Sequence, residues 1–237
     1  VTWQGEAMGA QASLVIHHPD RARAERLGEA TVAEGRRLER IFSLYRDDSD
    51  LTQLNRQRFL VAPPKELVEI LRQSQVVWAL TGGAFDPTVQ PLWDAYRRHF
   101  STPGASEAGP SASTVRECLA RVGLDRVACS PDRIELSIPG SALTLNGIAQ
   151  GYVTDKVVDL LRAGGIERSM VDMGESRAIG RDGRVADTLF VAGPLARGTF
   201  GELMGAPDLA RHARNIAETL TAMDLHVSQL PPRPVQA

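Results

Sequence analysis

The stretch Leu143-Thr-Leu-Asn-Gly-Ile-Ala-Gln-Gly-Tyr-Val-Thr-Asp-Lys156 constrains the fold most, because a short β-type run hands over there to a Gly-punctuated helix start. A strand that passes into a helix through small residues leaves the first N–H groups of the helix without partners inside it, and the helix dipole adds positive potential at that end. Such a junction suits a phosphate. Gly147 and Gly151 make neither a Walker loop nor a GxGxxG fingerprint, so an ordinary strand-to-helix connection accounts for the same residues.

The chain has 237 residues of near-average composition, enough for one large domain or two closely packed ones with a substantial core. Disordered and fibrous classes are excluded. A formal net charge of −2 gives no reason to make nucleic acid or a membrane surface the main partner. No apolar run reaches the roughly 18 residues of a membrane span. Cys118 and Cys129 lack CxxC spacing and a neighbouring His, which favours two buried thiols over a disulfide. The chain opens at Val1-Thr-Trp without an initiator Met, which fits a removed leader or a shortened chain.

In order, Thr2 to His17 reads as an edge strand, a Gly-containing turn around Ala7-Met-Gly-Ala10, and a second strand. From Asp20, Leu27, Leu38, Ile41 and Tyr45 recur at helical spacing, the pattern of a long amphipathic helix that closes with Phe42-Ser-Leu-Tyr45. Ser49 is placed to cap a short helix, and Asp47, Asp48 and Asp50 fit either a solvated loop or a functional role. Pro63-Pro64 starts the clearest helix, with Leu67, Ile70, Leu71, Val77 and Trp78 on one face and Gly82-Gly83 past its end. It delivers Gly82-Gly-Ala-Phe-Asp-Pro-Thr-Val89, where two glycines permit positive φ and Pro87 restricts Asp86 to extended geometry. That segment is a rigid loop that presents groups to something.

Further on, the residues predict a helix from Pro91 to Phe100, a flexible connection from Ser101 to Ser113 and a short helix from Thr114 with capping-box spacing to Glu117. Arg126–Cys129 and Arg133–Ile138 form a hairpin, and Leu143-Thr-Leu145 extends its sheet. The helix beginning near Gly147 ends at Gly164-Gly165. Ser169-Met-Val-Asp-Met-Gly-Glu175 reads as a buried strand ending in a Gly-acid pair, with further strands at Arg177–Ile179 and Leu189–Val191. Asp208 to Met223 has helical spacing, and the end is a tail.

Several of these clusters together resemble the ApbE-like flavin transferases, the FAD:protein FMN transferases. They are Ala7-Met-Gly9, Phe42-Ser-Leu-Tyr45, Ser49-Asp-Leu-Thr-Gln-Leu-Asn55, Gly83-Ala-Phe-Asp-Pro-Thr88, Leu145-Asn-Gly-Ile-Ala-Gln-Gly-Tyr152 with Asp155, and Val171-Asp-Met-Gly-Glu175. The wording around Gln150 is most similar to the NosX-like branch, which serves the flavoprotein of nitrous oxide respiration. The resemblance implies an α+β fold related to the T-fold, with antiparallel or mixed sheets, packed helices and an FAD cleft between subregions. Residues 1–193 would form that domain and 194–237 a divergent or truncated segment. The implied reaction is Mg²⁺-dependent transfer of FMN from FAD to a Thr or Ser of a partner flavoprotein, with release of AMP, in the periplasm or another exported location. A protein that only binds FAD, and hydrolysis of FAD to FMN and AMP, are the alternatives.

By the same resemblance Met8 and Tyr45 contact the flavin part, and Ala84, Phe85 and Asp86 belong to the loop that holds the dinucleotide. Thr144 stands where many members have a nucleotide-contacting Asp, and the carbonyl of Gly147 helps bind Mg²⁺. Gln150 stands where many have Lys, which keeps a hydrogen-bonding group but removes a fixed positive charge. Asp86 and Gln150 are the two residues assigned to the chemistry itself. The family's His-Ile-x-Asp-Pro segment has no counterpart here. Its Ala-Asp-x-x-x-Thr helix start has only a faint echo in Ala217-Glu-Thr-Leu-Thr221, where Glu218 and Thr221 would complete the metal site.

Overall fold

The structure, a computed structural model, describes residues 1–7, 9–166, 168–172 and 176–179. The expected strand at Leu189–Val191, the expected helix at 208–223 and the boundary near residue 193 lie outside them. Strand β1 (Thr2–Ala7) turns at Gly9, whose φ is +74°, into β2 (Ala10–His17). Helix α1 (Arg21–Phe42) follows, its first turn closed by Asp20, whose carboxylate accepts the Arg23 N–H at 3.0 Å. That hydrogen bond to the backbone amide holds the Asp20 carboxyl below the usual carboxylate range.

Helix α2 (Asp50–Gln57), strand β3 (Phe59–Val61), helix α3 (Lys65–Leu80) and helix α4 (Gln90–Phe100) come next. Helix α5 (Ala112–Leu119), strands β4 (Val127–Cys129) and β5 (Arg133–Leu136), helix α6 (Ala149–Ala163) and strands β6 (Arg168–Asp172) and β7 (Ser176–Ile179) complete the described elements. The α5 helix starts earlier than its apparent capping box. Ser111 caps it by accepting the Thr114 N–H, so Thr114 lies in the first turn.

Two antiparallel sheets organise these elements, in the orders β1-β2-β6-β7 and β3-β5-β4. In the first, Leu14 pairs with Trp3 on one side and Val171 on the other. Residues paired across a ladder share a face, and this face, with Ala12 and Ile16, is buried against α1 and α6. The β1 positions Thr2, Gln4 and Glu6 alternate outward to solvent, as the period of two in a half-buried strand requires. The core runs on through Phe42, Leu51, Leu54, Leu67, Leu71, Ile134 and Leu136 to the second sheet.

Helices α1, α3 and α6 are tied by polar contacts at the edge of this core. Phe42 packs edge-on against Tyr152 at 5.5 Å, and the Tyr152 hydroxyl donates to Glu69 at 2.5 Å. Lys156 reaches the same carboxylate oxygen at 3.0 Å, while Arg37 bridges Glu34 and the buried Glu66. Burial, then the bond to Glu69, raises the Tyr152 hydroxyl far above the ordinary phenol range. Both cysteines are free thiols, Cys118 buried and Cys129 half-buried.

The expected extension of the hairpin by Leu143–Leu145 does not occur. Strand β5 already pairs with β3 on one side and β4 on the other, so neither side of that strand is left for the segment. The segment stays extended and takes other partners. Ala142 forms a lone parallel bridge with Val89, and Leu143, fully buried, gives its N–H to Asn55 Oδ1 at 2.7 Å and receives Asn55 Nδ2 on its carbonyl at 2.9 Å. A side-chain amide from α2 substitutes for a neighbouring strand.

Candidate functional site

The loop after α3 is built by its glycines and one hydroxyl. Helix α3 ends when Gly83 N–H reaches back to the Trp78 carbonyl at 2.8 Å, with Gly82 at φ +61° and Gly83 at φ +85°. L side chains are strained in that region, so the sharp exit requires glycine. Thr81 Oγ1 then accepts the Phe85 N–H at 3.1 Å and holds the loop's next turn. Ala84 is exposed, Phe85 and Asp86 are half-buried, and Thr88 is buried.

The second half of the site is the junction that opens α6. Leu145 accepts the N–H groups of Ile148 (3.0 Å) and Ala149 (2.7 Å), which turns the chain into the helix two residues later than Gly147. No side chain caps this helix end. An uncapped N-terminus presents polarised N–H groups and positive potential to an anion. Asn146 and Gly147 are exposed there, Thr144 and Gln150 half-buried, and the Thr144 hydroxyl accepts the Asn146 N–H at 3.3 Å.

These halves, some sixty residues apart in sequence, touch. The Thr144 N–H donates to the Pro87 carbonyl at 2.7 Å, and the Val89–Ala142 bridge lies beside it. The Phe85 ring stands against Gly147, so that a methyl group built there would meet Phe85 Cε2 at 3.4 Å. Ala84, Phe85, Asp86, Thr144, Gly147 and Gln150 therefore belong to one neighbourhood or flank it directly.

Tyr45 sits at a second corner. Its side chain is 81% exposed, its N–H is held by Ser43 Oγ at 3.1 Å, and its ring is 3.8 Å from where a methyl group at Gly9 would lie. Helix α2 links the corners: its cap Ser49 donates to the Ser43 carbonyl at 2.5 Å, and Asn55 at the other end grips Leu143. Eight residues at a rise of 1.5 Å make that strut about 12 Å long. An extended dinucleotide is long enough to reach across it. Met8, Glu218 and Thr221 lie outside the described residues.

The three acidic residues at the start of α2 resolve largely into structural partners. Asp48 makes a two-point pair with Arg46 at 2.9 Å, which lowers its carboxyl, and Asp47 pairs with Arg56 at 2.5 Å. Asp50 is half-buried and shifted upward by desolvation. Among the described residues no group of three or more His, Cys, Asp or Glu side chains could hold a metal ion. Of the three residues expected at Mg²⁺, only Gly147 is described, and it offers a backbone carbonyl alone. The described residues by themselves therefore do not make a magnesium site.

Sequence reasoning gives no role to Asn55 or the turn at Gly123-Leu124, and none to Trp78 beyond the apolar face of α3. Trp78 packs against the core from the apolar face of α3, as its spacing predicts, and in addition its indole N–H donates to Asp86 Oδ2 at 3.1 Å. Asp86 Oδ1 accepts the Thr88 N–H at 2.8 Å and the Thr88 hydroxyl at 2.5 Å, and Oδ2 also accepts the Leu124 N–H at 3.2 Å. A polar residue among apolar ones, Asp86 or Thr88, was the visible signal; its partners were not.

A helix-covered antiparallel sheet, joined to a loop and helix N-terminus that converge on one exposed neighbourhood, defines an α+β protein. The comparisons with known proteins make this specific. The profile of the ApbE family matches residues 8–195, and the chain belongs to that family. It is 26% identical over 174 residues to an FAD:protein FMN transferase of Klebsiella pneumoniae (strain 342), a match that takes in 70% of this chain and 52% of that one. Against the FAD:protein FMN transferase of Treponema pallidum (strain Nichols) it is 31% identical over 143 residues, 57% of this chain and 39% of the other. The chain thus spans about half or less of the length of these relatives. Among solved structures, flavin transferase ApbE from Vibrio cholerae superposes with a TM-score of 0.67 at 27% identity, covering 77% of this chain and 60% of that one. The apo flavinyl transferase ApbE of Pseudomonas stutzeri gives 0.66 at 28%, covering 77% and 59%.

Proposed function

We propose that this protein binds FAD and transfers its FMN moiety to a Thr or Ser hydroxyl of an acceptor flavoprotein, releasing AMP. The observation that carries the reading is the contact of Phe85 with Gly147 and of Pro87 with Thr144, which joins the loop and the uncapped helix of an ApbE-family chain into one preformed corner. In the reaction the acceptor hydroxyl oxygen attacks the FMN-side phosphorus, the bond from that phosphorus to the bridging pyrophosphate oxygen breaks, and AMP leaves with that oxygen. The hydroxyl proton passes to solvent. Phosphoryl transfer asks a protein chiefly to position the donor and stabilise charge on its oxygens.

In this scheme Tyr45, with Met8, supports the flavin, and Ala84 and Phe85 border the dinucleotide. The α6 N-terminus faces the pyrophosphate, with Thr144 and Gln150 donating hydrogen bonds. A requirement for Mg²⁺ belongs to the proposal, with the Gly147 carbonyl, Glu218 and Thr221 as its oxygen donors. An exported location, an acceptor of the nitrous oxide respiration type, and a division of the chain near residue 193 belong to it as well.

The test incubates the purified protein with FAD, Mg²⁺ and a Thr-containing acceptor flavoprotein domain, then reads acceptor mass and AMP. The expected result is an acceptor heavier by one FMN and an equal amount of AMP. FAD retained without AMP would instead make the protein a flavin carrier, and free FMN with unlabelled acceptor would make it an FAD hydrolase.

A further inference from the structure

We propose that Thr88 and Trp78 are positioning residues that set the loop 82–88 for FAD, with Asp86 as the acceptor they share; this rests on the reading of the site given above. A carboxylate has about four lone-pair positions, and Asp86 has four donors on it: Trp78 Nε1 and Leu124 N on Oδ2, Thr88 N and Thr88 Oγ1 on Oδ1. Taking a proton from an incoming hydroxyl, or binding a cation, would require breaking one of these bonds. Asp86 is thereby a fixed centre of the loop rather than a base for the acceptor.

Thr88 gives the arrangement its direction. Its hydroxyl, 1% exposed as a residue, spends its single proton on Asp86 and accepts the Gly123 N–H at 2.7 Å. Only that orientation satisfies all three groups, since an N–H can only donate and a carboxylate can only accept. Trp78 is likewise a donor only. Three segments are fastened at one point: the last turn of α3, the loop, and the turn that leads into β4. The residues on either side of Asp86 are the ones that meet the other half of the site, Phe85 with its ring against Gly147 and Pro87 with its carbonyl on Thr144 N–H. Misplacing a reacting group by about 1 Å can cost 10²-fold in rate, so a clamp here acts on catalysis without touching the substrate.

The test uses Thr88→Val, which keeps the shape and removes the hydroxyl, Thr88→Ser, which restores it, and Trp78→Phe, which removes only the indole donor. Amide hydrogen exchange at Gly123 and Leu124 reads the clamp, titration of flavin fluorescence reads FAD affinity, and FMN transfer gives kcat and KM separately. Thr88→Val should speed exchange at Gly123 at least tenfold and weaken FAD binding about tenfold with unchanged far-ultraviolet circular dichroism. Thr88→Ser should return both to within threefold of wild type, and Trp78→Phe should speed exchange at Leu124. A folded Thr88→Val protein with faster exchange but wild-type FAD affinity, kcat and KM would overturn the positioning role, leaving a structural one. Unchanged exchange in Thr88→Val would overturn the clamp itself. Should Thr88→Val not fold, Trp78→Phe decides the matter by the same readouts. Failure of the wild type to bind FAD would sink the reading of the site together with this proposal, a result distinct from wild-type binding that the variants leave untouched.

Discussion

Asn55→Ala is the most informative single change, because one side chain supplies both hydrogen bonds of a buried backbone unit 88 positions away. The variant leaves the Leu143 N–H and carbonyl without partners beside a residue that is 0% exposed. A buried polar group stripped of its partner costs about 1–3 kcal/mol, and two such groups with partial relaxation cost about 2–4 kcal/mol together. For a chain of this length about 2–4 °C accompanies each kcal/mol, so Tm should fall by about 5–15 °C. Urea denaturation should show the midpoint lowered at an unchanged slope. Asn55→Asp separates the two bonds. The new carboxylate still accepts the Leu143 N–H but sets its second oxygen against the Leu143 carbonyl, which favours the protonated form and raises the folded-state pKa. A group so shifted stabilises below its unfolded pKa, about 3.9, and loses that contribution as pH rises through the folded value. The Asn55→Asp deficit should therefore be small near pH 3.5 and grow toward pH 7. An Asn55→Ala protein within about 0.5 kcal/mol of wild type, or an Asn55→Asp deficit independent of pH, would refute the reasoning.

Ser49→Ala removes a fully buried cap hydroxyl that bonds both the Ser43 carbonyl and the Thr52 N–H, and should cost about 1–2 kcal/mol by denaturant titration. Glu69 is held below the usual carboxylate range, first by the Tyr152 hydroxyl and then by Lys156. Its contribution is present above the unfolded pKa of about 4.3 and fades as pH falls through the folded value. Melting curves of wild type and Glu69→Gln should accordingly differ at pH 7 and converge in acid, with the gap reduced by salt because the pair is partly exposed. At Gly147, Ala places a methyl group in ordinary contact with Phe85 and should change stability by less than about 0.5 kcal/mol. Gly147→Leu fills the space in front of that ring, and isothermal titration should find FAD affinity at least tenfold weaker in a protein that melts normally.

The parts of this protein legible in its sequence are those governed by neighbours along the chain. Local sequence marked the pair β1 and β2 around a Gly-containing turn, helical spacing marked α1, α3 and α6, Ser49 marked the start of α2, and glycine beyond Leu80 announced the sharp exit at Gly82-Gly83, since each depends on local geometry and on which residue types satisfy it. The order of the motifs identified the family for the same reason. Tertiary structure alone decided where unpaired backbone finds its partners. The segment Leu143–Leu145 has the composition of a strand, but both sides of β5 are taken by β3 and β4, and packing sets the segment against α2 and the loop after α3, so its hydrogen bonds go to Asn55 and Pro87. Asp86 is visible in the sequence as a carboxylate on a rigid loop, but that Trp78, Thr88 and Leu124 donate to it follows only from the packing of α3, the loop and the turn before β4. A sequence states which groups must be satisfied; which group satisfies them depends on what packing brings within 3 Å, and that is settled only when the whole core closes.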